Sequence, residues 1–179
     1  MRLGKISLFI ICLATNPVFS YSENAPTIQI THNHRNFSAK VIRIMDGDTM
    51  EVLYQSQPIK IRLAHIDCPE KRNSQPFSNN AKKALSDLCF GETVKIEGKN
   101  YDRYKRLIAV VFNKKGQNIN QEMIKLGMAW HYKKYSTDTS YAQLETIAIR
   151  KQIGLWEDKN PIAPWLWRNP RTTKSLIFK

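Results

Sequence analysis

Asp46-Gly47-Asp48-Thr49 opens a stretch that runs on through Met50-Glu51-Val52-Leu53-Tyr54, Gln55-Ser56-Gln57-Pro58 and Ile59-Lys60-Ile61-Arg62-Leu63-Ala64-His65-Ile66-Asp67-Cys68-Pro69-Glu70. Two apolar segments joined by a short polar turn predict a hairpin, and a hairpin returns its two ends to one place. Asp48, Arg62, Asp67 and Glu70 are thereby expected to gather. Hard divalent cations such as calcium take carboxylate and carbonyl oxygens, and a planar guanidinium matches two phosphate oxygens at once. Carboxylates and an arginine in this arrangement read as a metal-assisted phosphodiester site.

The pattern Asp-Gly-Asp-Thr, then Arg, then Asp-x-Pro-Glu resembles the staphylococcal (micrococcal) nuclease family. A second segment of that family's pattern stands here as Asp102-Arg103-Tyr104-Lys105-Arg106. The resemblance runs from about Ser38 to Trp156. It implies an α+β fold, a five-stranded OB-fold barrel with three packed helices. It further implies calcium-dependent, sugar-non-specific cleavage of DNA and RNA that leaves 3′-phosphate ends.

The resemblance also implies a role for each residue of the site. Asp48 and Asp67 are metal ligands, joined by the backbone carbonyl of Cys68. Glu70 contacts the attacking water, as general base or as a positioner of water. Arg62 and Arg106 hold the scissile phosphate and stabilise the charge that grows on it. Arg103, Tyr104, Tyr132 and Tyr135 are substrate contacts, with Lys133 and Lys134 interleaved among aromatic faces as in single-strand binders. Each has a plainer reading: Asp46-Gly47 as a turn former, Glu70 as a loop glutamate, the tyrosines as caps on the core. Two positions depart from the family. Lys105 stands where many relatives have Gly, so either the turn avoids positive φ or the chain tolerates a side chain there. Cys68 stands where Thr is found, which a backbone ligand allows.

The rest of the chain suits an exported protein. Met1-Arg2-Leu3-Gly4-Lys5, an apolar run from Ile6 to Ala14 and the small residues near Ser20 have the form of a signal peptide over residues 1–20. Residues 21–37 read as a flexible leader, 38–160 as the nuclease-like domain and 161–179 as a tail with prolines and tryptophans. His32-Asn33-His34 lies in the polar leader and is assigned no metal. Lys and Arg number 28 against 15 Asp and Glu, and losing Arg2 and Lys5 with the signal takes the net charge from +13 to +11. Such an excess favours polyphosphate.

Periodicity predicts strands around Val41–Ile44, Thr93–Glu97 and Leu107–Phe112, the last so apolar that it is expected to be central and buried. Helices are expected over Phe77–Phe90, Ile119–Leu126 and Ser140–Ile153. Cys68 and Cys89 remain once Cys12 is removed, either paired in an oxidising compartment or as buried thiols. The expected protein is a monomer, periplasmic or extracellular, with DNA and RNA as partners and no stable membrane association. Two other readings stay open: a non-catalytic nucleic-acid-binding OB domain, and a cationic protein acting on membranes.

Overall fold

The computed structural model describes residues 35–169. The expected signal segment, most of the leader with His32-Asn33-His34, and the tail from residue 170 lie outside them. Alternating burial along Asn36–Ile44 makes this segment β1, with Phe37, Ala39 and Val41 turned inward. It starts two residues before Ser38 because the Phe37 ring packs on Tyr54, centroids 4.4 Å apart, and Phe37 pairs with Ile96.

The opening hairpin forms as its sequence predicts. β2 (Thr49–Tyr54) and β3 (Gln57–Leu63) pair antiparallel, Thr49 opposite Arg62 and Tyr54 opposite Gln57. The turn is tighter than expected, with only Gln55 and Ser56 at its tip, both at positive φ. That is the backbone whose twist matches the flanking strands. A two-residue strand β4 (Ile66–Asp67) follows, then helix α1 (Ser78–Cys89), which buries Ala81, Leu85 and Cys89.

β5 (Thr93–Tyr101) and β6 (Leu107–Phe112) close the barrel in the order β1-β2-β3-β6-β5, with β5 back on β1. β6 is central, as expected, but it is not buried on both faces. Leu107, Ala109 and Val111 fill the barrel while their neighbours are half-buried. A barrel strand has one face inside and one outside, and helices cover the outer face only in part.

Helix α2 (Ile119–Lys125) is capped by Asn118, whose side chain accepts from the Gln121 amide at 3.2 Å. The short strand β7 (Trp130–His131) pairs with β4, Asp67 opposite Trp130. Helix α3 (Thr139–Arg150) starts at the Asp138 cap, and a 3-10 turn over Gly154–Glu157 follows it. Gly127 and Gly154 pack backbone on backbone; a Cβ on Gly127 would lie 2.0 Å from the Ile153 carbonyl oxygen. The last element is the single-turn helix α4 (Pro164–Trp167). No described helix is long and apolar enough to cross a membrane.

The main core cluster lies within the barrel and under the helices and includes Val41, Met50, Ile61, Leu63, Leu85, Ile96, Leu107 and Met123, and a smaller cluster of Ala148, Leu155 and Trp156 packs with Phe77 and Trp130. The α+β barrel with packed helices is the OB-type architecture that the motifs implied. Its consequence for function is local. The β2–β3 hairpin, β4 and the start of β6 meet at one end of the barrel.

Candidate metal and phosphate site

Asp48 precedes β2 and faces the end of β3, because Leu63 N–H donates to the Asp48 carbonyl at 2.9 Å. Its carboxylate is held by three donors. Thr49 Oγ1 reaches Oδ1 at 3.0 Å, and the Cys68 amide reaches Oδ2 at 2.9 Å. Arg62 Nη2 lies 2.9 Å from the same Oδ2 and 2.8 Å from Asp67 Oδ1, so one nitrogen bridges the two carboxylates. Arg62 Nη1 donates to the carbonyls of Leu63 and Ile66 at 2.7 and 2.9 Å, which fastens the loop between β3 and β4 around the guanidinium. Asp48 is 7% exposed and Asp67 1%. The end of the hairpin thus buries a carboxylate pair with one arginine as counterion.

The pair is electrostatically loaded. Burial pushes the Asp67 carboxyl up from its usual range, and Asp48 adds to this, while Arg168 and Arg62 pull it down. Burial and Asp48 push Asp46 up to about 7. Burial opposes the charge on Arg62, but Asp48 and Asp67 outweigh it and raise its pKa. Asp46 and Asp67, which burial and the neighbouring Asp48 disfavour as anions, mark a site where a bound cation would offset negative charge. Cys68 is no thiolate ligand, since burial and the neighbouring aspartates hold its thiol well above the ordinary range. Cys68 and Cys89 are both buried and free, the thiol alternative of the two.

Gly47 is needed at this site for a reason other than the one its turn position implied. A Cβ there would lie 2.7 Å from the Cβ of Ala81 and 2.8 Å from that of Cys68. The glycine lets the aspartate loop lie directly on α1, where a side chain would force it away.

Glu70 is three residues beyond Asp67, half-buried, on a loop that Gln75 clamps. The Glu70 amide donates to Gln75 Oε1 at 2.8 Å, and the Gln75 amide returns a bond to the Glu70 carbonyl at 3.1 Å. Arg106 enters from the other side, because β3 and β6 run parallel with Arg62 opposite Ile108. Arg106 Nη1 is 3.5 Å from Thr49 Oγ1, which links it to Asp48. Lys105 has φ 58 and its amide donates to the Asp102 carbonyl, so the turn does use a positive φ and the chain tolerates a lysine in it.

The weaker candidates occupy two exposed flanks. On the turn between β5 and β6, Arg103 Nη2 donates to the Tyr104 hydroxyl at 2.7 Å, and Arg106 lies over the Tyr104 ring, 5.3 Å from its centroid. Beyond β7, Tyr132 and Tyr135 meet edge to face at 4.9 Å, with Tyr135 69% exposed. The Tyr132 amide donates to the His65 carbonyl at 2.8 Å, which places this platform beside β4 and Asp67. The structure therefore gathers Asp48, Arg62, Asp67, Cys68, Glu70 and Arg106 at one end of the barrel. Arg103, Tyr104, Tyr132 and Tyr135 stand at its rim.

The staphylococcal nuclease homologue family model matches residues 60–158 of the chain. This protein belongs to the staphylococcal nuclease homologue family. An uncharacterized endonuclease of Haemophilus influenzae is 51% identical over 132 residues, 73% of this chain and 72% of that protein. Micrococcal nuclease of Shigella flexneri is 42% identical over 143 residues, covering 74% of this chain and 81% of the relative. An uncharacterized endonuclease of Escherichia coli is 38% identical over 130 residues, 73% and 84% of the two chains.

Within this family member, several residues that hold the site together escaped the sequence reading. Asp102 shows in the sequence only as the first residue of a motif, yet it fixes Arg106 through Nε at 2.8 Å and Nη2 at 2.7 Å. Gln75 is a buried amide in a polar loop that carries no periodic signal. Arg168 lies in the tail, 101 residues from Asp67, and its guanidinium nonetheless reaches that carboxylate. A contact at that separation leaves no trace in local pattern.

Proposed function

We propose that this protein is an exported, calcium-dependent nuclease that hydrolyses phosphodiester bonds of DNA and RNA and leaves 3′-phosphate ends. The observation that carries the reading is the buried pair Asp48 and Asp67 bridged by Arg62 Nη2, with Glu70 on the adjoining loop and Arg106 tied in through Thr49. These are hard oxygen donors in a negative environment, which suits calcium. Among the described residues no group of three His, Cys, Asp or Glu side chains forms a ready metal cluster. Calcium does not need one, because it completes its shell with backbone carbonyls and water. Asp48 and Asp67 would hold the ion together with the Cys68 carbonyl. Bound there, calcium supplies Lewis acidity toward a phosphoryl oxygen and offsets the repulsion between the carboxylates.

The remaining steps fall to the chain's own side chains. Glu70 orients a water for attack on phosphorus and receives or directs its proton. Arg62 and Arg106 set positive charge against the phosphate oxygens, where charge builds in the transition state. The bond to the 5′-oxygen breaks, that oxygen takes up a proton from solvent and leaves as the 5′-hydroxyl, and the phosphate stays on the 3′ side. Tyr132, Tyr135, Tyr104 and Arg103 offer ring faces and charge to neighbouring nucleotides. The net +11 of the chain without residues 1–20 draws the substrate without reading its sequence. We take the protein to act as a monomer outside the cytoplasm, free of the membrane once the signal is removed.

The test is degradation of single- and double-stranded DNA and of RNA in calcium, with a chelator in parallel. Cleavage that the chelator abolishes, and that Glu70→Gln lowers by about 10²- to 10⁴-fold, is expected. Retention of nucleic acid without cleavage would instead make the protein a non-catalytic binding domain.

A further inference from the structure

Arg168 directly follows α4. Its Nη2 lies 2.7 Å from Asp67 Oδ2 and its Nη1 3.3 Å from Asp67 Oδ1, and Nη1 also donates to Glu70 Oε1. With Arg62 Nη2 at 2.8 Å from Asp67 Oδ1, both oxygens of Asp67 face a guanidinium. Burial opposes the charge on Arg168, and its bonds to Asp67 and Glu70 outweigh this and raise its pKa, so it stays a cation. One side chain of the tail thus covers a carboxylate assigned to the metal and a carboxylate assigned to the water.

The segment that delivers Arg168 is fastened independently of these ion pairs. Gln75 Nε2 donates to the Ile162 carbonyl at 2.6 Å while the same amide's Oε1 holds the Glu70 loop. Trp165 lies parallel to Tyr132 with centroids 5.4 Å apart and meets Trp130 edge-on at 5.7 Å. The backbone near Arg168 is therefore docked, whereas the Arg168 side chain is 40% exposed. Rotation about its own torsions can lift the guanidinium off the carboxylates while α4 stays in place.

We propose that Arg168 is a tethered counter-cation of the metal site, anchored also on Glu70, which competes with calcium for Asp67 and so sets the calcium concentration the enzyme requires. The proposal rests on the calcium assignment above. A guanidinium that spans both oxygens of Asp67 and a divalent ion that needs the same carboxylate exclude each other, by overlap of acceptors and by repulsion between cations. A tethered competitor weakens the apparent affinity of the free ligand by the fraction of time it occupies the site. For a half-exposed arginine on two carboxylates that factor is about 3- to 10-fold.

Isothermal titration of calcium into the purified protein tests this, with Arg168→Gln, Arg168→Lys and Asp67→Asn compared at fixed ionic strength. Arg168→Gln is expected to bind calcium about 3- to 10-fold more tightly. Arg168→Lys should fall between the two, since an ammonium keeps the charge without the two-pronged fit. Thermal unfolding gives a second readout, and Arg168→Gln should show a larger rise in Tm on adding calcium than the wild type. Equal or weaker calcium binding by Arg168→Gln, with binding lost in Asp67→Asn, would overturn the competition and leave the calcium site standing. If the wild type and Arg168→Gln alike bind no calcium, the metal assignment fails and the competition with it.

Discussion

Arg106 and Asp102 form a two-pronged pair, with Nε 2.8 Å and Nη2 2.7 Å from the same Asp102 Oδ2. Asp102 Oδ1 accepts from the amides of Tyr104 and Arg106 at 2.8 and 3.0 Å. Bonds from Arg106 hold the Asp102 carboxyl below its usual range even though burial opposes this. One carboxylate therefore shapes the turn between β5 and β6 and aims the arginine that leaves it.

Asp102→Asn keeps the volume and removes the charge that orients Arg106. On the proposed mechanism Arg106 faces the charge that grows on the phosphate, and misplacing such a group by a fraction of an ångström is costly to a transition state. We expect kcat/KM on DNA to fall on the order of 10-fold while calcium affinity holds. A calcium affinity that falls in parallel would show that Asp102 supports the fold of the site and does not merely aim Arg106.

Asn120 on α2 is fully buried and ties three backbone groups together. Its Oδ1 accepts from the Val111 amide at 3.1 Å, and its Nδ2 donates to the carbonyls of Ala64 and Ala109, each at 3.0 Å. Those bonds sit where β3 and β6 part, so the amide closes the barrel at the end that carries the site. Asn120→Ala leaves buried polar groups without partners and is expected to cost about 2–4 kcal/mol of stability. Denaturant unfolding without calcium would measure it, and a loss below about 0.5 kcal/mol would contradict the role.

The free thiols make a simple prediction. Cys89 Sγ donates to the Leu85 carbonyl at 3.2 Å, and burial pushes its pKa up to about 12. Cys68 is equally buried. Neither thiol is accessible or ionised, so both should resist a thiol reagent in the native protein and react on unfolding. A reductant should leave Tm unchanged, and a drop in Tm with reductant would reveal a disulfide.

A histidine relay is expected to contribute to the response to pH. Lys99 Nζ lies 2.7 Å from His65 Nε2, His65 Nδ1 lies 2.7 Å from Ser136 Oγ, and that oxygen is 2.9 Å from His131 Nε2. Lysine only donates, so His65 carries its hydrogen on Nδ1, and Ser136 passes its own to His131. Burial lowers the pKa of both histidines, and Lys99 lowers His65 further. The unfolded chain then binds more protons than the folded one just below the unfolded value of about 6.5. The histidine contribution is full above that pH and is lost as pH falls through the folded values. Asp46 and Asp67, raised in the folded state, work in the opposite sense in calcium-free buffer. The measurement is therefore the stability difference between wild type and His65→Asn/His131→Asn. That difference should shrink, from pH 7 down to pH 5, and a difference independent of pH would overturn the relay.

Much of the fold was legible because its signals are local. The two-period of β1, β2 and β3 and the helical spacing of Ala81, Leu85 and Cys89 lie within a few residues of what they dictate. The meeting of Asp48, Arg62 and Asp67 was legible too, because a hairpin joins residues close in the chain. The tip of that hairpin was not, since Gln55-Ser56 lacks the Asn or Gly that marks a two-residue turn.

The sequence by itself determined the barrel strands, the carboxylate pair with its arginine, and the basic charge that favours a polyanion. Only the tertiary structure decided what surrounds that pair. The parallel pairing of β3 with β6 brings Arg106 to Thr49, and the packing of Gly47 on Ala81 seats the aspartate loop on α1. The docking of α4 carries Arg168 onto Asp67. Such contacts depend on how separate elements pack, and sequence distance holds no record of them.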